Sequence, residues 1–264
     1  MARAIARAGG HTVLAFDRSD EVMRAAEGEH LIVGRLDASS LPSCDLLLVA
    51  LYPKATCEYL EQNAALVRAG ATVVDLCGVK GAVCPTGFRL AAEHGFTFIG
   101  GHPMAGRELS GFAASKADLF DSASMVLVPP DNCPENLLSD VEKFFKSLGF
   151  RKIQRSTVAI HDREIAYTSQ LCHVVSNAYV QSDAALVHSG FSAGSFRDLT
   201  RVARLKPDMW CELFLENKDA LVSELHGLIE RLCAFEKAIS NDDAAALTAL
   251  LENGVRMKEE SERD

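Results

Sequence analysis

The sequence predicts an α/β protein, a doubly wound parallel sheet followed by an all-helical domain, and three observations carry that reading. Short apolar strands alternate with helical segments through residue 155. One of them, Asp45-Leu-Leu-Leu-Val-Ala-Leu51, is the continuous apolar run of a parallel strand buried on both faces. Beyond Ser156 the periodicity is helical to the end. Alternation of strand and helix implies right-handed crossovers, and the expected domains are residues 1–155 and 156–264.

Residues 1–8 read as the end of a helix, with Gly9-Gly10 as its stop signal. Thr12 to Phe16 is a short strand ending at Asp17, followed by a polar helix from Ser19 to Ala26 and a short strand over Leu31 to Val33. The 45–51 strand leads to Pro53, which opens a helix running to about Ala69, with Gly70 beyond it. Ala71 to Leu76 is the next strand, then a helix through His94 and a strand from Phe96 to Ile99. Ser124 to Val128, the helix Pro134 to Leu148 and the strand Arg151 to Ile153 complete the first half. Helices are expected over Thr157 to Ser182, Phe196 to Arg204, Pro207 to Glu216, Lys218 to Ser240 and Asp242 to Glu259.

A chain of 264 residues has room for two cores. Its net charge of -9 argues against a nucleic-acid surface, which needs clustered Lys and Arg. No apolar run approaches the roughly 20 residues of a membrane span, and the first residues lack a signal peptide's apolar stretch; small-molecule partners and a cytoplasmic location are expected. The eight cysteines form no C-x-x-C pair and read as buried free thiols rather than metal ligands.

Five positions stand out for chemistry. His102 follows Gly100 and Gly101, whose freedom to turn would put it at a strand's carboxyl end, where open α/β sheets keep their ligands; the alternative is a histidine capping a turn. Asp17 ends a strand, where a carboxylate commonly bonds the adenosine ribose of a dinucleotide, although many strands end in acidic residues. Arg18 beside it could instead attract a 2′-phosphate, so NAD is favoured by the carboxylate and NADP stays open. His173 lies among apolar neighbours on the long helix, either a core imidazole or a cleft residue. Arg201 is either a solvated surface charge or a planar fork for a substrate carboxylate.

Taken in order, Asp75-Leu-Cys-Gly-Val-Lys80, Gly101-His-Pro-Met-Ala-Gly-Arg-Glu-Leu-Ser-Gly111, Ser169-Gln-Leu-Cys-His173, Gly194-Ser-Phe-Arg-Asp-Leu-Thr-Arg201 and Pro207-Asp-Met-Trp-Cys-Glu-Leu-Phe-Leu-Glu-Asn217 resemble the prephenate dehydrogenase family. The resemblance spans nearly the whole chain. It implies a Rossmann-like first domain, a helical dimerisation domain, and NAD(P)-dependent oxidative decarboxylation of prephenate to 4-hydroxyphenylpyruvate in tyrosine biosynthesis. The alternatives are arogenate oxidation to tyrosine, or a cofactor-deficient, non-catalytic dimer that binds an aromatic-pathway ligand. By the match His102 is the proton acceptor. Arg201 binds a substrate carboxylate, His173 lines the substrate pocket, and Glu108 and Asp198 orient them. Gly78 stands near the substrate alcohol, and Asp17, Arg18 and Lys80 lie on the cofactor side. A homodimer is implied.

Three departures accompany the match. The family begins with a strand and a G-x-G-x-x-G turn whose amides cradle a pyrophosphate, whereas residues 1–8 correspond to the helix that follows them. The strand is central in the family's sheet, so a sheet with a disturbed centre is expected. Gly78 replaces a serine, leaving its work to His102 alone or to Cys77 and a water. Gln170 replaces a histidine.

Overall fold

The computed structural model describes residues 1–106 and 111–263. Seven strands alternate with the first helices: α1 (Ala2–Ala8), β1 (Leu14–Ala15), α2 (Asp20–Gly28), β2 (Gly34–Arg35), β3 (Leu46–Val49), α3 (Pro53–Asn63), β4 (Thr72–Asp75), α4 (Cys84–His94), β5 (Thr97–Met104), β6 (Ser124–Val128), α5 (Glu135–Ser147) and β7 (Lys152–Arg155). Local chemistry sets several ends. Ser19 caps α2 by accepting from the amide of Val22, and Pro53 stands in the first turn of α3, where its missing N–H costs nothing.

β3 to β7 lie side by side in that order, and alternate residues on each strand enter opposite cores. Val73 and Phe98 pack with Leu60 and Leu90 of α3 and α4, while Val74 and Ile99 pack with Ile5 of α1 and Leu138, Val141 and Phe145 of α5. A helix layer thus covers each face, as the doubly wound pattern requires.

Two features differ from the sequence reading, and one meets it. β5 and β6 are antiparallel, with Gly101 opposite Leu127 and His102 opposite Val126; no α-helix lies between them among the described residues to carry the chain back for a parallel pairing. β1 and β2 form a separate parallel pair, although Val13 shares a core with Leu46 and Leu48 of β3. This break is the expected disturbance of the sheet. The short strand after α2 falls on Gly34–Arg35 rather than Leu31 to Val33, because Ile32 is committed to a small core with Met23 and Ala26.

The long helix is α6 (Val158–Ile165), a π-helical segment over Ala166–Leu171, and α7 (Cys172–Tyr179). α8 (Gly194–Thr200) and α9 (Pro207–Glu216) follow, and everything through Asn217 forms one compact unit. The second unit is α10 (Lys218–Ser240) and α11 (Ala244–Ser261), which pack on each other. Among the described residues no helix is long and apolar enough to cross a membrane.

Candidate active site

β5 does not stop at its glycines. It runs straight through Gly100 and Gly101 to Met104, and their value is closeness rather than a turn. A Cβ on Gly101 would lie 2.4 Å from the Asp75 carbonyl oxygen, and one on Gly100 would lie 2.6 Å from Cys84 Sγ. Beneath them Asp75 and Lys80 form a fully buried ion pair. Lys80 Nζ also donates to the Gly101 carbonyl at 2.7 Å, while Asp75 accepts from the amides of Cys77 at 2.9 Å and Gly101 at 3.2 Å. The pair is therefore hydrogen-bonded on both sides, the condition under which buried charges are tolerated. It locks the end of β4, the loop after it and β5 into one floor.

His102 stands on that floor against α6. Thr157 caps the helix by accepting from the Ile160 amide, which sets His161 and Asp162 within its first two turns and in the interior. Nδ1 of His102 is 3.0 Å from Nε2 of His161, and Nδ1 of His161 is 2.7 Å from Oδ1 of Asp162. The Lys80 amide donates to Oδ1 of Asp162 at 2.8 Å and the Gly81 amide to Oδ2 at 2.7 Å. With Nδ1 engaged, Nε2 is the nitrogen of His102 left for a ligand. It lies 3.8 Å from where a Gly78 side chain would begin, and a Leu213 methyl is 3.4 Å from the same point. Burial, then the nearby His161 and Lys80, press the His102 pKa down to about 3 against a smaller opposing effect of Asp162. The ring is thus a neutral base at physiological pH.

α9 supplies the facing wall. Trp210 packs on His173 with ring centres 3.8 Å apart, and Leu213, one turn on, covers Gly78. His173 Nδ1 is 3.0 Å from the Val202 carbonyl and donates to it. Burial, with the charge of Arg201 adding to it, holds the His173 pKa below its ordinary value against the opposing Val202 bond. Gln170 donates to the Leu213 carbonyl at 3.0 Å and accepts from Asn217, which also donates to the Asp162 carbonyl at 2.8 Å. α9 is thereby tied to the π segment and to α6. Two further contacts hold α9 to the turn after β3: Glu212 accepts from the Lys54 amide, and Lys206 donates to the Tyr52 hydroxyl.

A neutral imidazole whose Nε2 faces Gly78, beside a helix that carries Leu213 and the Trp210 stacked on a second imidazole, can accept a proton from a ligand that reaches it. Residues 1–154 match the family model for the prephenate dehydrogenase nucleotide-binding domain, and residues 157–253 the model for the prephenate dehydrogenase dimerization domain. The chain belongs to the prephenate dehydrogenase family. Prephenate dehydrogenase of Bacillus subtilis is 27% identical over 253 residues, which are 90% of this chain and 66% of that protein. Among solved structures, the prephenate dehydrogenase of Aquifex aeolicus with hydroxyphenyl propionate and NAD+ has a TM-score of 0.83 at 25% identity, over 98% of this chain and 92% of that one. Synechocystis arogenate dehydrogenase has a TM-score of 0.82 at 26% identity, over 97% and 94%.

Against the family motifs, the expected residues fall as follows. His102, Gly78 and, through α9, His173 line one connected surface. Arg201 opens a short 3-10 turn, Arg201–Ala203, exposed and close enough to His173 to act on it electrostatically. Asp198 is exposed on α8, 3.9 Å from Arg197. Glu108 lies outside the described residues. Lys80, expected on the cofactor side, instead sits entirely under the floor with its ammonium consumed by Asp75 and Gly101. Cys77 does not stand in for a serine: its thiol contacts Thr56 and the Leu51 carbonyl, each at 3.2 Å, and burial pushes its pKa up to about 12. Sequence reasoning missed His161, Asp162 and Trp210. Two adjacent polar residues on the buried side of a helix start, and the chain's single tryptophan, were the signals available.

The fit to a dinucleotide is partial. Asp17 and Arg18 are exposed just beyond β1, with Asp17 accepting from the Ser19 amide at 2.8 Å, so a solvent-facing carboxylate follows that strand. No glycine-rich turn precedes α1 in residues 1–264, so amides for the pyrophosphate are not among these residues.

Proposed function

We propose that this chain carries out NAD-dependent oxidative decarboxylation of prephenate, giving 4-hydroxyphenylpyruvate. The observation that carries the proposal is the neutral His102, whose Nδ1 is engaged by His161 and whose Nε2 faces Gly78, with Leu213 of α9 against the same glycine. A ring alcohol that reaches Nε2 hydrogen-bonds to it, and the imidazole accepts the hydroxyl proton as the carbon is oxidised. Arg201 fits a substrate carboxylate through its planar fork, with His173 and Trp210 as the adjoining wall and Asp198 nearby on α8. Bound NAD supplies the hydride acceptor, and Asp17 would hold its ribose. The protein's own work is orientation, exclusion of water by Leu213 and Trp210, and custody of one proton.

The arogenate dehydrogenase among the structural relatives supports arogenate as the second candidate substrate, and Arg18 keeps NADP in play. A homodimer belongs to the proposal: the family's second domain is a dimerization domain, and α10 and α11 expose Ile229, Leu232, Ile239, Leu251 and Val255. A cytoplasmic location is proposed with it, in keeping with eight unpaired cysteines. The test is turnover: prephenate or arogenate with NAD+ or NADP+, followed by reduced cofactor and by product. Reduced cofactor with prephenate is expected. No reduced cofactor with either substrate would refute the reading.

A further inference from the structure

We propose that His102, His161 and Asp162 form a closed proton store, which takes the hydroxyl proton of the substrate, keeps it through decarboxylation and returns it to the same oxygen, with His161 as the positioning residue. The proposal rests on the function given above.

The hydrogen-bond directions follow from one end of the chain. Asp162 accepts from two backbone amides and faces Nδ1 of His161. A carboxylate satisfied in that way stays ionised, and it requires the His161 proton on Nδ1. Nε2 of His161 is then a lone pair, so His102 must carry its own proton on Nδ1 to meet it at 3.0 Å. That leaves Nε2 of His102 as the lone pair on the side of Gly78 and Leu213. The Asp162–His161 pair therefore selects the tautomer in which His102 is a base toward the ligand.

The reaction needs such a base to lend rather than release. Oxidation breaks the C–H bond, sending a hydride to the nicotinamide, and the O–H bond, sending a proton to His102 Nε2, while a carbonyl forms. Decarboxylation then breaks the bond to the carboxyl carbon. Carbon dioxide leaves, and the electron pair moves through the ring to the oxygen, producing a phenolate that takes the proton back. Substrate and NAD+ become phenol, carbon dioxide and NADH, with no proton gained or lost overall.

His102 alone is poorly placed to hold the positive charge in the interval, because Lys80 lies nearby. Passing its Nδ1 proton to Nε2 of His161 restores neutrality at His102 and creates an imidazolium 2.7 Å from the Asp162 carboxylate. Among the described residues, the charged and titratable groups that act on His102 are Lys80, His161 and Asp162, and of these Asp162 alone favours its protonated form. His161 is 3% exposed and Asp162 9%. The relay ends in the interior, so the proton returns by the way it came.

The experiment uses the full chain with His161→Gln and His161→Leu. Glutamine at 161 accepts from His102 Nδ1 and donates to Asp162, preserving the tautomer, but holds no extra proton; leucine does neither. Imidazole nitrogen NMR reads the His102 tautomer without turnover, and steady-state kinetics with prephenate and NAD+ read the store. The expected result is the Nδ1–H tautomer in the parent and in His161→Gln, its loss in His161→Leu, and kcat lowered by at least about tenfold in both variants with KM within about threefold. An Nε2–H tautomer in the parent overturns the proposal, as does parental kcat in His161→Gln. If His161→Leu does not fold, the glutamine variant decides. A parent chain inactive on both prephenate and arogenate would defeat the proposed function instead, and the tautomer measurement would still uphold or refute the proton arrangement.

Discussion

His102 is held neutral by its surroundings, and that has a consequence for stability. Its pKa is depressed in the folded chain to about 3, against 6.5 for an ordinary histidine, so below about pH 6.5 the unfolded chain binds a proton that the folded chain refuses. Stability is full above that pH and falls as pH drops toward the folded value, by at most about 1.4 kcal/mol per pH unit for this one group. Denaturant melts at pH 7 and pH 5 are expected to show a larger loss for the parent than for His102→Asn; equal losses would contradict the assignment. Lys80 gives a second residue-scale prediction. Replacing it by methionine leaves the buried Asp75 without its cation, at an expected cost of about 3–5 kcal/mol in the same melts. A cost below about 1 kcal/mol would show that water reaches the pair.

At the scale of elements, β5 is the strand whose geometry matters most. Its glycines are legible in the sequence, but their purpose is not: a glycine pair reads as a turn unless the neighbouring strand is known to press against it. Here Asp75 at the end of β4 presses on Gly101, and Cys84 at the start of α4 presses on Gly100. Gly101→Ala is therefore expected to destabilise by at least about 1–3 kcal/mol through overpacking against the Asp75 carbonyl, measurable as a lower melting temperature. An unchanged melt would mean that β4 and β5 separate freely. The same limit applies to α6. Its existence follows from Thr157 and helical periodicity, whereas the placement of His161 against His102, 59 residues away, is a tertiary fact. The antiparallel pairing of β5 with β6 did have a signal, since no helix is expected between Ile99 and Ser124 to carry a parallel crossover, but the alternation through the rest of the domain masked it. What local pattern does determine is visible in β3, β4 and β6, whose apolar runs fall close to where the sequence puts them.

For the whole molecule, the order of strands and helices was readable because each element carries its own period and stop signals, and the family motifs located His102, His173 and Arg201. The carboxylate partner was not readable, because motif matching names the residue that touches substrate and passes over the one behind it. Apolar side chains exposed on α10 and α11 predict self-association, so light scattering at micromolar concentration should give twice the chain mass of 28.5 kDa. A mass of one chain across all concentrations would remove the dimer.

The central claim is that His102 is the proton acceptor of a dehydrogenase. The most direct measurement compares the parent with His102→Asn for prephenate-dependent NAD+ reduction, alongside prephenate binding by calorimetry. The expected result is a kcat loss of about 10²–10⁴-fold with substrate affinity retained. Parental turnover in His102→Asn would contradict it.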